Sequence, residues 1–117
     1  MKVYCKACHV PLTKEIELSG DYAFNETDGE DFLPEGLYTI SDGAYFTGTE
    51  GCIIINAADL VNKADHPDPS RHNGCCGLDG CDGPNKICVN GHEVATEKSD
   101  CWMPAALIFE KNNTCLR

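Results

Sequence analysis

No run of about 18 apolar residues occurs anywhere in this chain, and basic residues are scarce. The first absence excludes a membrane-spanning helix. The second bears on partners, because nine Lys and Arg stand against nineteen Asp and Glu, a net charge of −10. Phosphate backbones are bound by clustered Lys and Arg, and no such cluster is present. Neither nucleic acid nor an anionic membrane surface is therefore an expected partner. Long uninterrupted apolar stretches are also missing, broken up by six prolines and eleven glycines. With 117 residues, two cores would each be too small, so one domain over residues 1–117 is expected. Met1–His9 holds nothing like a charged segment followed by about 7–15 apolar residues, so no export signal is read there and a cytoplasmic location is expected.

What the chain has in quantity is cysteine. There are nine: Cys5, Cys8, Cys52, Cys75, Cys76, Cys81, Cys88, Cys101 and Cys115. Such a density means disulfides in an oxidising compartment or thiolate-bound metal in a reducing one. The expected location favours metal, with zinc the default ion, and an odd count fits poorly with a complete disulfide framework. A metal staple would also supply stability that a modest core does not.

The pattern along the chain is mainly β with little helix. Residues 1–18 read as a strand, a tight Cys5-x-x-Cys8 turn, and a second strand carrying Leu12, Ile16 and Leu18. Residues 19–36 hold Asp21, Glu26, Asp28, Glu30, Asp31 and Glu35 with no Lys or Arg, and read as a solvated loop. The carboxylate order around Gly29 does not fit a calcium loop. Leu37–Ile40, the turn Ser41-Asp42-Gly43 and Ala44–Thr47 read as a hairpin. Cys52–Ile55 reads as a central strand buried on both faces, with Cys52 as a small core residue. Asn56 is placed to cap a short helical turn over 56–62, and His66-Pro67-Asp68-Pro69 ends it. Met103–Lys111 reads as a final strand returning to the sheet.

Residues 72–101 are rich in Gly, Asp, Asn and Cys and poor in apolar side chains, so something other than burial must hold them. Cys5 and Cys8 have the spacing that lets two thiolates take one ion from a turn whose amides support the sulfur charge. A closed tetrahedral site needs two more donors, and the later block offers His72, Cys75, Cys76, Cys81, Cys88, His92 and Cys101. Closing so long a loop through a metal costs only a few kcal/mol of entropy. The expected shell is Cys5, Cys8, Cys75 and Cys88, with Cys76 able to replace Cys75. Cys88-Val89-Asn90-Gly91 reads as a second knuckle lacking its second cysteine, and the Cys75-Cys76 pair is expected to make good that ligand. Adjacent cysteines rarely bind one ion, so a second site from His72, Cys76, Cys81 and Cys101 is the subordinate reading. His9 and His66 read as surface residues, and Cys115 as unligated.

Catalysis finds less support. A thioredoxin-type Cys-x-x-Cys opens a helix after a strand, whereas Pro11 and a β pattern follow Cys8. Cys88 with His92 has the residue types of a nucleophile and base, but four residues of separation in a loop carry no geometry.

The stretch Asn73-Gly74-Cys75-Cys76-Gly77-Leu78-Asp79-Gly80, with Asp82-Gly83-Pro84-Asn85, Cys88 and Ser99-Asp100-Cys101-Trp102, resembles a pattern in small uncharacterised bacterial proteins that also begin with Cys-x-x-Cys. Those relatives carry a Cys-x-Cys-Gly knuckle where this chain has Cys88-Val89-Asn90-Gly91, and the resemblance implies no activity. Two distant knuckles joining β-hairpins also resemble the zinc-stapled β-tent folds of methionine-sulfoxide reductase B and Yippee, an architectural likeness that carries no function. The expected protein is a mainly β domain around one structural zinc, acting as a binding or interaction module toward a basic protein. Its rivals are a thiol-redox or methionine-sulfoxide-reductase-like enzyme using a cysteine outside the zinc shell, and a disulfide-bonded extracytoplasmic protein.

Overall fold

The computed structural model describes all of Met1–Arg117. Its strands are β1 (Val3–Cys5), β2 (Glu17–Leu18), β3 (Leu37–Ile40), β4 (Ile53–Ile55), β5 (Lys63–Asp65), β6 (Lys86–Cys88), β7 (Glu93–Lys98), β8 (Ala106–Phe109) and β9 (Thr114–Leu116). Seven of them form one sheet in the order β2-β3-β4-β8-β7-β6-β5, while β1 and β9 pair as a separate antiparallel ribbon. Short 3₁₀ turns at Ala57–Asp59 and Pro69–Arg71 are the only helical pieces. The protein is mainly β, as the residue pattern predicts. No helix is long and apolar enough to cross a membrane.

The apolar runs on β4 and β8 serve two faces. Ile53 and Ile55 point, with Leu107 and Phe109, into a cluster that also takes Val3, Leu12, Ile16 and Val94. Ile54 and Ile108, directly paired across the two strands, face the opposite cluster with Ala106, Phe32, Leu33 and Phe46. Alternation along a pleated strand requires apolar residues at every position when both faces are covered. The first cluster contains Cys5 and Cys88, so the cysteine-bearing ends of β1 and β6 are set in the main core.

Two local readings change. Ala44–Thr47 is not a strand: β3 pairs directly with β4, Tyr38 opposite Ile55 and Ile40 opposite Ile53. Ser41 closes the intervening loop through backbone bonds to Cys52 and Gly51, both 2.8 Å. Asp42 accepts the Ala44 N–H at 2.9 Å and turns the chain. Phe46 then drops onto Phe32, ring centroids 5.0 Å apart, which an extended segment would not permit. Leu12 and Ile16 are buried as expected, but the second strand is confined to Glu17–Leu18 and runs parallel to β3. The turn after Asn56 forms, with the Asn56 side chain accepting the Ala58 N–H at 2.9 Å. The acidic residues of 19–36 are exposed, while Phe32 and Leu33 within that stretch are buried.

Candidate metal centre

Two tight turns meet at one end of the main core. In the first, the Cys5 N–H donates to the Val10 carbonyl at 2.9 Å and the His9 N–H to the Cys5 carbonyl at 2.7 Å. His9 holds a positive φ of 62° there. In the second, between β6 and β7, the Cys88 N–H donates to the His92 carbonyl and the Gly91 N–H to the Cys88 carbonyl, both 2.9 Å. Gly91 has φ 86°, a backbone state open to glycine at little cost. That state reverses the chain within four residues and returns His92 beside Cys88.

The turns bring Cys5, Cys8, Cys88 and His92 together, with all four donor atoms within 4.8 Å of one another. Cys8 Sγ lies 3.8 Å from Cys88 Sγ, and His92 Nδ1 lies 3.6 Å from Cys5 Sγ and 3.2 Å from Cys88 Sγ. A tetrahedral ion with Zn–S of about 2.3 Å and Zn–N of about 2.05 Å places two sulfurs about 3.8 Å apart and a sulfur and nitrogen about 3.6 Å apart. The donor set and its spacing therefore fit zinc. Burial pushes the Cys5 thiol up, whereas the Asn90 side chain and the Val10 amide pull Cys8 down to about 6. Asn90, at the place of the missing knuckle cysteine, thus serves the sulfur of the opposite turn.

Two asparagines hold the turns in register. Asn62, at φ 52°, donates its side-chain amide to the Pro11 carbonyl at 2.8 Å and accepts the Val89 N–H at 3.0 Å. Asn113 accepts the Lys6 N–H and donates its side chain to the Glu93 carbonyl, both 2.8 Å. Each residue touches both turns. Neither is distinguishable in the sequence from an ordinary loop asparagine.

Cys75, expected in this shell, lies elsewhere. It forms a second group with Cys76 and Cys101, all three exposed and with their sulfurs within 4.8 Å of one another. The neighbours Cys75 and Cys76 converge to 3.8 Å between sulfurs instead of diverging. The cause is Asp100, only 2% exposed, whose Oδ2 takes the Cys75 N–H at 3.0 Å and whose Oδ1 takes the Cys76 N–H at 2.9 Å. These amides hold the Asp100 carboxyl far below the usual carboxylate range. Hydrogen bonding to the Cys101 and Cys75 sulfurs, with the repulsion of their charge, pushes the Cys76 thiol up to about 12. Of the other expected donors, His72 sets Nε2 against the His66 carbonyl at 2.6 Å, and the Cys81 thiol turns to the Asp79 carbonyl at 3.6 Å. Neither joins a group.

No protein-family model, curated protein or solved structure matches this chain. Cys52 packs beside the second core cluster, and Cys115 sits on β9 opposite Tyr4. His66 departs from its surface reading: its side chain is largely covered and its Nε2 lies 2.8 Å from Glu93, which also pairs with Arg71 at 3.0 Å. His92, one of the later-block donors but outside the expected shell, takes the place expected of Cys75. Its signal was its place four residues after Cys88, with a glycine just before it.

Proposed function

We propose that this protein is a zinc-binding interaction module whose single structural zinc is held by Cys5, Cys8, Cys88 and His92. The observation that carries the reading is the convergence of those four donors, from turns 80 residues apart, at tetrahedral spacing. Zinc here would act as a staple: Cys5 and Cys88 have no exposed surface, so a closed shell suits them better than an open catalytic position. The same burial argues against Cys88 and His92 as a nucleophile and base, since no substrate reaches the sulfur. A thiol-redox role needs an exposed thiol of low pKa. Cys76 is exposed but shifted the opposite way, and the thiol that is lowered, Cys8, belongs to the staple.

For the partner, the supporting feature is a groove of about 310 Å³ lined by Phe24, Phe32, Tyr45 and Phe46 with Glu26 and Asp42. Aromatic faces beside carboxylates attract cations, and the net charge of −10 acts in the same direction. A basic protein segment is the occupant this chemistry recognises. Zinc analysis of protein purified under reductant tests the staple. One zinc per chain is expected, lost in Cys8→Ser and in His92→Ala, and metal-free folded protein would refute it.

A further inference from the structure

We propose that Cys75, Cys76 and Cys101 form a second metal site, exposed and three-coordinate, that takes a soft monovalent cation of the cuprous type. The site is built rather than incidental. Both oxygens of the buried Asp100 carboxylate are engaged: Oδ1 accepts the Cys76 and Cys101 amides at 2.9 and 2.8 Å, and Oδ2 accepts the Cys75 amide and the Trp102 indole N–H at 3.0 Å. One carboxylate thus sets the backbone of all three cysteines. The loop is also pressed into place where only glycine fits. A Cβ on Gly74 would stand 1.7 Å from the Gly77 carbonyl oxygen, and one on Gly77 would stand 2.4 Å from the Ser99 carbonyl oxygen. Those glycines flank Cys75-Cys76 and let the loop pack closely on itself and against Ser99.

Donor number and donor type select the ion. The group contains three sulfurs and no histidine or carboxylate donor. Zinc in a structural site takes four ligands, and hard cations prefer oxygen. Thiolates select Cu(I), zinc and iron–sulfur clusters, and of these Cu(I) is the ion that three donors satisfy. The 3.8 Å between the Cys75 and Cys76 sulfurs lets both reach one ion, and the count of three donors, not their spacing, separates this group from the four-donor centre. Because all three cysteines are exposed, the ion would face solvent and exchange, unlike the buried staple.

Trp102 provides the local readout, as the chain's one tryptophan and a donor to the same Asp100 oxygen as Cys75. Zinc-loaded protein is titrated anaerobically with cuprous ion presented as its bicinchoninate complex. One copper per chain should be taken up with zinc retained, and Trp102 emission should fall at least twofold. Cys76→Ser and Cys101→Ser should each weaken copper binding at least a hundredfold while keeping zinc content and melting temperature. Three results would overturn the proposal. They are no uptake beyond the zinc, uptake that displaces zinc and is unchanged in both variants, and a second equivalent of zinc held by the wild type and lost in Cys76→Ser.

Discussion

At His92 a single ring nitrogen faces two thiols, Cys88 at 3.2 Å and Cys5 at 3.6 Å, and this placement makes the residue testable by exchange of donor type. Replacing the imidazole with another zinc ligand should keep the staple, and replacing it with a methyl group should remove it. His92→Cys is therefore expected to retain one zinc per chain, and His92→Ala to lose zinc and become protease-sensitive, read by elemental analysis and limited proteolysis. Equal zinc content in the two variants would show that the ring is not a ligand. Asn85 is a second single residue with a calculable role. It has no exposed surface, and its side chain donates to the Glu97 carbonyl at 2.9 Å and accepts the Glu97 N–H at 2.7 Å. Asn85→Ala would leave both backbone groups without partners, at a cost of about 2–3 kcal/mol. Denaturant unfolding checks this, and a change within about 0.5 kcal/mol would contradict it.

Among the elements, the β1–β9 ribbon depends most on what joins the two turns. Two-stranded pairs are marginal on their own, and this one is tied down by the Cys5 turn and by Asn113. Chelation of the proposed zinc should release amide protection first at Lys6 and Val89, with Ile54 and Ile108 in the centre of the sheet protected longest. Hydrogen exchange with and without chelator measures this, and uniform loss of protection would contradict it. Asn62→Ala should weaken zinc retention against a competing chelator by several-fold, since it removes the bond to Pro11 that aligns the turns. An unchanged chelator midpoint would show that the turns align without it.

Much of this was legible in the residue pattern. Leu37–Ile40 and the isoleucine run of β4 advertise themselves by β-branching, the Asn56 cap by its side chain, and Cys5-x-x-Cys8 by its spacing. The loop after Ile40 was not legible, because Phe46 is placed by rings distant in sequence, Phe32 above all. Of the four converging donors, Cys5, Cys8 and Cys88 were legible as the favoured candidates, and His92 only as one of several donors in the later block. Only the left-handed Gly91 turns that histidine back to its cysteine. Cys75 was misplaced because the buried Asp100, which gathers the Cys75-Cys76 pair toward Cys101, looks in sequence like any loop aspartate.

Over the whole molecule, the two sides of the large sheet carry different chemistry. One cluster includes Cys5 and Cys88 of the candidate zinc centre, while the other ends at the surface in the aromatic groove with Glu26 and Asp42. The proposed basic partner would meet the second side, so losing the groove should not disturb zinc. Tyr45→Ala is expected to weaken binding of a lysine-rich peptide at least threefold with zinc content unchanged, and added salt should weaken the wild-type complex. Peptide binding indifferent to both would remove the groove from the account. Zinc-edge X-ray absorption on the purified protein reads the donors of the proposed Cys5, Cys8, Cys88 and His92 shell. One zinc is expected, with three sulfurs at about 2.3 Å and one nitrogen at about 2.0–2.1 Å; an all-sulfur shell, or folded protein without stoichiometric zinc, would refute that shell.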